Sequence, residues 1–360
     1  NEDQLRKSVA ATAIIGCILS LFVIFIGAVG LYPLLQFLGT PPAIIAQSYL
    51  YISTIVNGVA VTFAYNLCAG LLRAVGDSLA ALYFLIIAAI LNILLDLYFI
   101  TQLHLGVQSA GIATIIAQGI SALLCLLYIR KKVPFLLPHR KDFVWDKELY
   151  QDLLSQGLAM GLMTSIVSIG TVILQSAINQ LGTTIISAQV AARRIMSFAV
   201  LPITAIASSI TTFISQNFGA EQFQRIKKGV TIANLLSWVW SVLVAALLFF
   251  TSPSITSFIS GSTNPDLIAN ASLYLQISSC FYPILASLII LRNALQGMGK
   301  KLTPLTSSFI ELFGKIFFVL WIIPHTGYMG VILCEPLIWI PMTLQLIIIY
   351  RKIRYQLLTE

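Results

Sequence analysis

Ten times along this chain an apolar run of roughly 20 or more residues ends at a cluster of charge or at a Pro/Gly break. Runs of that length are what an α-helix needs to cross the hydrocarbon core of a bilayer. They lie near residues 9–30, 44–70, 79–101, 108–129, 153–180, 184–215, 229–251, 266–291, 303–323 and 328–350. Several exceed the minimum length, which implies tilt or kinks. Composition agrees, since 9% of residues are charged, 58% are apolar and the mean hydropathy is +0.92. A soluble domain carries about 25% charged residues. The expected fold class is therefore all-α integral membrane, with about ten transmembrane helices.

The net charge of +8 does not indicate nucleic acid, because the basic residues sit between the apolar runs. An even number of spans puts both chain ends on one side. That side holds the N-terminus and the segments near 71–78, 130–152, 216–228, 292–302 and 351–360. Leaving aside Arg292, at a span boundary, it carries 17 of the 21 Lys and Arg residues, from Arg6 and Lys7 to Arg351, Lys352 and Arg354. The opposite loops, near 31–43, 102–107, 181–183, 252–265 and 324–327, carry none. The positive-inside rule makes the first side, with both termini, cytoplasmic in a bacterial-type plasma membrane. All five cysteines lie inside apolar runs without CxxC spacing, so neither a disulfide framework nor a zinc site is expected.

Two stretches of the chain resemble each other in order. Arg6-Lys7-Ser8-Val9 matches Lys227-Lys228-Gly229-Val230, and Tyr49-Leu50-x-Ile52-Ser53 matches Tyr274-Leu275-x-Ile277-Ser278. Leu72, Gly76 and Leu79 recur at the spacing of Leu295, Gly299 and Leu302, and Ala110-Gly111-Ile112 returns loosely as Met329-Gly330-Val331. An even number of spans separates the copies, so they are parallel, one of the known transporter arrangements. The second copy is preceded by two further spans, 153–180 and 184–215. By this register the chain is expected to be a six-plus-six protein without its first two helices. The expected domains are an N-terminal lobe of four helices over 1–132, a cytoplasmic linker over 133–152 and a six-helix lobe over 153–360. The linker's Trp145, Leu149 and Leu153, at helical spacing among charges, read as a surface amphipathic turn.

The pattern Leu72-Arg73-Ala74-Val75-Gly76-Asp77, then Leu91-Asn92-Ile93-Leu94-Leu95-Asp96, then Gly106-Val107-x-x-Ala110-Gly111-Ile112-Ala113-Thr114 resembles multidrug and toxic compound extrusion (MATE) transporters. So does Gln216-Asn217-Phe218-Gly219-Ala220 followed by Arg225-x-Lys227-Lys228-Gly229. The resemblance covers essentially the whole chain, at helices three to twelve of a twelve-helix, two-lobe fold. It implies secondary active efflux of organic cations or other amphiphiles, driven by inward Na⁺ or H⁺, with the lobes rocking between two states. It also implies a monomer in the lipid bilayer that binds a small molecule and needs no cofactor beyond the coupling ion.

Ionisable residues within spans are costly and so mark candidate sites. Asn92 and Asp96 are four apart on one helical face, and Thr114 on the returning span lies at similar depth from the outer end. A carboxylate, an amide and a hydroxyl in an outer-half cavity suit Na⁺ or a proton, and Asn57 is a fourth candidate. Family members use such a cluster in the N-terminal lobe. The alternative is that Asp96 is capped by neighbouring amides for stability. In the second lobe Glu311, Lys315 and Glu335 fall at the depth of Arg193 and Arg194, and Glu311 with Lys315 has i,i+4 spacing. These read as a structural ion-pair network, with a second proton site as the alternative. Gln175, Asn179, Gln189 and Tyr282 are candidates for lining that lobe's cavity, or else for bonding between helices. Arg73 and Asp77 form either a loop salt bridge or a solvated pair.

No GxxxxGK[ST] or HExxH motif occurs, and no soluble domain, so ATP-driven transport and metalloenzyme chemistry are unsupported. The competing readings are a lipid-linked precursor flippase of the wider superfamily, favoured by Arg193, Arg194 and Arg292, and a membrane-embedded enzyme. The latter lacks convergent groups, since His104, His139 and His325 lie in loops or at span edges.

Overall fold

The computed structural model describes residues 2–37 and 42–359. Its elements are helical throughout the described residues. The chain divides into two compact units, 1–154 and 155–360.

The first unit starts with α1 (Glu2–Phe37), α2 (Pro42–Asn57) and α3 (Val59–Ala74), followed by α4 (Ser78–Thr101) and α5 (Gln108–Lys132). The loop expected near 31–43 falls partly outside the described residues. The run read as one span over 44–70 is two helices bent by 45° at Gly58. The bend has a local cause. The Gly58 N–H is shared between the Thr54 and Ile55 carbonyls, and a Cβ there would stand 2.3 Å from Ile115 on α5. Only glycine lets the backbone come that close.

After α5 come 3-10 turns at Pro134–Leu136 and Arg140–Asp142. The amphipathic segment expected at the linker's end is already helix, because α6 (Lys147–Asn179) starts six residues before the expected span. The Asp146 carboxylate accepts from the Glu148 and Leu149 N–H groups, which gives α6 its start. Trp145 remains outside the helix, exposed and tilted against the Tyr150 ring at 4.6 Å.

The second unit continues α6 and adds α7 (Thr183–Gly219) and α8 (Phe223–Ser260). Then come α9 (Pro265–Cys280), α10 (Tyr282–Gly297), α11 (Leu302–Phe317), a π-helical turn at Phe318–Ile322, α12 (Ile323–Thr326) and α13 (Tyr328–Thr359). The span expected at 266–291 is again a bent pair, turned by 57° at Phe281. Here Pro283 supplies the cause, since its ring removes an N–H from the ladder. The π-turn precedes Pro324 in the same way. Among the described residues eight helices are long and apolar enough to cross a membrane, and ten spans result when each bent pair counts as one. The protein is an all-α, multi-pass membrane protein.

The repeat read from sequence has a backbone counterpart. Gly76 and Gly299 both take positive φ, +90° and +72°, and end α3 and α10 with the same pair of bonds. Asp77 and Lys300 donate to the Leu72 and Leu295 carbonyls, while the two glycines donate to Arg73 and Gln296. Gly106 and Gly327, also at positive φ, enter α5 and α13. The bend at Gly58 stands to Gly76 as that at Phe281 stands to Gly299, both 18 residues earlier.

The units differ inside. The second holds one continuous core, running from Leu174 and Ile178 through Tyr274, Tyr282 and Leu295 to Met342 and Leu346. The first holds a cluster at its basic end, around Leu72, Cys125, Ile129 and Leu136, and a separate small one at Tyr65, Ala88 and Ala122. All five cysteines are free thiols, and Cys17 and Cys280 are exposed on apolar helix faces.

Candidate functional site

In the first unit α4 and α5 lie side by side and bring Asn92 to Thr114. The Asn92 Nδ2 donates to Thr114 Oγ1 at 3.2 Å, and that hydroxyl donates onward to the Ala110 carbonyl at 2.8 Å. Asp96 stands one turn further along α4, half-buried. Its Oδ1 is enclosed and has no hydrogen-bond partner among the described residues. An enclosed carboxylate oxygen of this kind needs a cation, a proton or a water. The neighbouring amides that would cap Asp96 for stability do not bond Oδ1 here. Asn57 is exposed at the α2–α3 bend, and the structure ties it to none of the other three.

Two further polar contacts on α5 escaped the sequence reading. Gln108 Nε2 donates to Thr54 Oγ1 at 3.2 Å, and Thr62 Oγ1 donates to Gln118 Oε1 at 2.7 Å. With Asn92–Thr114 they make three interhelical contacts along one helix. Single Thr and Gln residues in apolar runs carry no signal of their own, so only the packing reveals them. Toward the basic end, Tyr128 donates to Asp77 Oδ2 at 2.9 Å while Asp77 Oδ1 caps α4 through the Ala80 N–H. Asp77 thus serves as a helix cap and Tyr128 as its partner, and no Arg73–Asp77 bridge forms among the described residues.

In the second unit the charges form a network. The Lys315 ammonium lies 2.8 Å from Glu311 Oε1 and 3.4 Å from Glu335 Oε1, with Thr171 Oγ1 at 3.5 Å. Arg193 reaches Glu335 Oε1 at 3.4 Å, and Tyr274 donates to Glu335 Oε2 at 3.3 Å. Lys315 is 2% exposed, so its charge is sustained by these oxygens alone. Tyr274 is a member that the sequence did not indicate. Arg194 does not join. It is exposed and lines a separate pocket with Ile186 and Val190, because adjacent helical residues point about 100° apart.

The cavity beside the network, about 420 Å³, is lined by Arg193, Ser197, Thr204, Glu335 and Trp339 among others. None of the four expected lining residues contributes. Gln175 bonds Asn179 within α6 at 2.8 Å, Gln189 is buried and accepts from Tyr328 at 3.0 Å, and Tyr282 is buried in the core. Gln189 and Tyr282 are held in packing between helices, while Gln175 and exposed Asn179 satisfy each other along α6. Arg292 donates twice to Ser307 Oγ, from Nε at 3.1 Å and Nη2 at 2.8 Å.

The two units place these groups at matching positions. Asn92 lies sixteen residues after Gly76, as Lys315 does after Gly299. Thr114 lies eight residues after Gly106, as Glu335 does after Gly327. The contact between α4 and α5 therefore recurs between α11 and α13, neutral in one unit and charged in the other. Among the described residues no three His, Cys, Asp or Glu side chains converge as a metal cluster.

Comparison with known proteins agrees with this architecture. The MatE family model matches residues 1–98 and 159–321. The chain is 31% identical over 283 residues to the probable multidrug resistance protein YpnP of Bacillus subtilis (strain 168), covering 77% of this chain and 62% of that protein's length. It is 24% identical to the probable multidrug resistance protein YoeA of the same organism, covering 90% and 71%. A crystal structure of MATE in the bent conformation superposes with a TM-score of 0.88 at 18% identity, covering 99% of this chain and 84% of the other.

Proposed function

The chain belongs to the MatE family, whose members matched here are membrane transporters rather than enzymes, and from that premise we propose that it exports drugs or other organic amphiphiles by antiport. Na⁺ or H⁺ enters as the substrate leaves, and rocking of the two lobes exchanges the access of both. The protein acts as a monomer in a bacterial plasma membrane with both termini in the cytoplasm, a reading that the basic loops support. The substrate is an organic cation, and no cofactor beyond the coupling ion takes part.

The observation that carries the coupling site is the enclosed, unpartnered Oδ1 of Asp96 one turn from the Asn92–Thr114 contact. In an apolar span a carboxylate without a counter-charge is costly. It is relieved by a proton or a small cation, and either must leave again in each cycle. Asn92 and Thr114 supply neutral oxygens nearby, and Asn57 lies at the bend that packs against α5 beside Thr114. In the second lobe Lys315 already fills the corresponding role as a tethered cation, so Glu311 and Glu335 serve structure rather than coupling.

Asp96→Asn tests the proposal, since it keeps the shape and removes the titratable charge. In cells making normal amounts of membrane-inserted protein, efflux is expected to fall at least tenfold with substrate binding retained. Wild-type efflux with unchanged Na⁺ and pH dependence would reduce Asp96 to a structural residue. The flippase reading draws on Arg193, which lines the second lobe's cavity. A drug-susceptibility panel separates the two, because a flippase would leave every tested drug's potency unchanged.

A further inference from the structure

An apolar groove of about 360 Å³ runs between α7 and α8, apart from both polar clusters. Its α7 wall is Ile206, Ile210 and Phe213, and its α8 wall is Ile232 and Leu236. Spacings of three and four residues keep each set on one face of its helix. From Lys228 to Leu236 the groove descends about 12 Å at the helical rise of 1.5 Å per residue. That is well inside the roughly 30 Å hydrocarbon layer that α8 must cross.

The groove's other end is not apolar. Arg225 and Lys228, three apart on α8 and both exposed, line it just after the α7–α8 turn. Among the described residues neither forms an ion pair with a carboxylate, and Glu221, the acidic residue of that turn, points to solvent. Gly229 holds the Phe213 ring close beneath them, since a Cβ there would stand 2.6 Å from the ring edge. Two free cations at the polar boundary above an apolar trough match one ligand chemistry. An acyl chain fills the trough and a phosphodiester meets the cations. An organic cation would be repelled at the same entrance.

We propose that the α7–α8 groove is a binding site for an anionic phospholipid, with its acyl chain along Ile210 and Ile232 and its phosphate on Arg225 and Lys228. The lipid comes from the leaflet that the basic loops face. It would brace the α7–α8 hairpin, whose first helix carries Arg193.

Native mass spectrometry of the full chain, offered equal phosphatidylglycerol and phosphatidylcholine, tests this without any transport measurement. The wild type should retain one phosphatidylglycerol with at least a tenfold preference. In the R225Q/K228Q double variant the preference should fall to near one, since each basic residue at a membrane surface is worth about fivefold. Ser209→Trp, at an exposed position on the groove wall, should lose the lipid with both cations intact. R130Q/K131Q removes equal charge from another basic end and should keep it. Inorganic phosphate at millimolar levels should not displace it. Equal retention of the two lipids by the wild type, an unchanged preference in R225Q/K228Q, or retention by Ser209→Trp would overturn the assignment. So would displacement by inorganic phosphate, which would mark a free-anion site. Because the readout is lipid mass, it stands or falls independently of Asp96.

Discussion

The contact between α4 and α5 in the first unit and that between α11 and α13 in the second occupy matching positions, yet they solve different problems. Asn92 and Thr114 share one neutral hydrogen bond and leave Asp96, a turn away, without a partner on Oδ1. Lys315 and Glu335 share an ion pair that Glu311, Arg193, Thr171 and Tyr274 complete. The surroundings follow suit, with one continuous core around the charged contact and two separated clusters in the other unit. A buried charge set is tolerable only where every member is paired and the packing holds the geometry. The coupling role proposed for Asp96 asks for the opposite, an incomplete set in a region with room to rearrange. One repeat thus yields a closed charge network and an open one.

Breaking the closed network should have the largest effect. Lys315→Met leaves Glu311 and Glu335 without their shared cation, and removing one partner of a buried pair costs about 3–5 kcal/mol. Membrane-inserted protein should fall sharply in a thermal-stability assay, and Lys315→Met with Glu311→Gln and Glu335→Gln should recover most of it. If Lys315→Met alone were as stable as wild type, the charged contact would not be the structural element described here.

Moving the closed chemistry into the open unit comes next. Asn92→Lys puts an ammonium one turn from Asp96, at the position Lys315 holds in the repeat. The protein should stay folded, because Asp96 gains a partner, while efflux and its Na⁺ or pH dependence should be lost as in Asp96→Asn. Preserved ion-dependent efflux in Asn92→Lys would show that the coupling charge lies elsewhere.

A smaller effect is expected of Thr114→Ala. A single interhelical hydrogen bond in a membrane protein is worth about 0.6 kcal/mol on average. Ion dependence should shift only a few-fold, with stability nearly unchanged. A loss as large as that of Asp96→Asn would make Thr114 an essential ligand.

The smallest effect concerns the basic surface of the first unit. Asp142 is 2% exposed, accepts from the His139 N–H at 2.7 Å and lies 3.4 Å from the Arg6 guanidinium. The His139 N–H holds its carboxyl below the usual carboxylate range, against the opposing push of burial and with help from Arg6. A lowered value means the clip is in force above about pH 4 and is lost as the solution is acidified through the folded-state value. At neutral pH Asp142→Asn should speed trypsin cleavage after Arg140 and Lys141 by a few-fold, with transport unchanged.

Much of this was legible in the sequence because it is local. Span number follows from run length. The i,i+4 pair of Glu311 and Lys315 follows from helical geometry, and the repeat from short residue matches in constant register, such as Leu72, Gly76 and Leu79 with Leu295, Gly299 and Leu302. The bends at Gly58 and Phe281 were less legible, since each apolar run continues across its break and only the close approach of Ile115 or the ring of Pro283 forces the turn.

What the sequence alone determined is that hydrophobic runs make this chain a multi-pass helical membrane protein, and that short matches in register mark an internal repeat. Tertiary structure decided which polar groups meet. Arg193 pairs with Glu335 while its neighbour Arg194 faces another pocket, and Tyr274 joins the charges while Tyr282 sinks into the core. The reason is rotational. Hydropathy fixes where a helix lies along the membrane normal, but its rotation about its own axis is set by side-chain packing with neighbours distant in sequence.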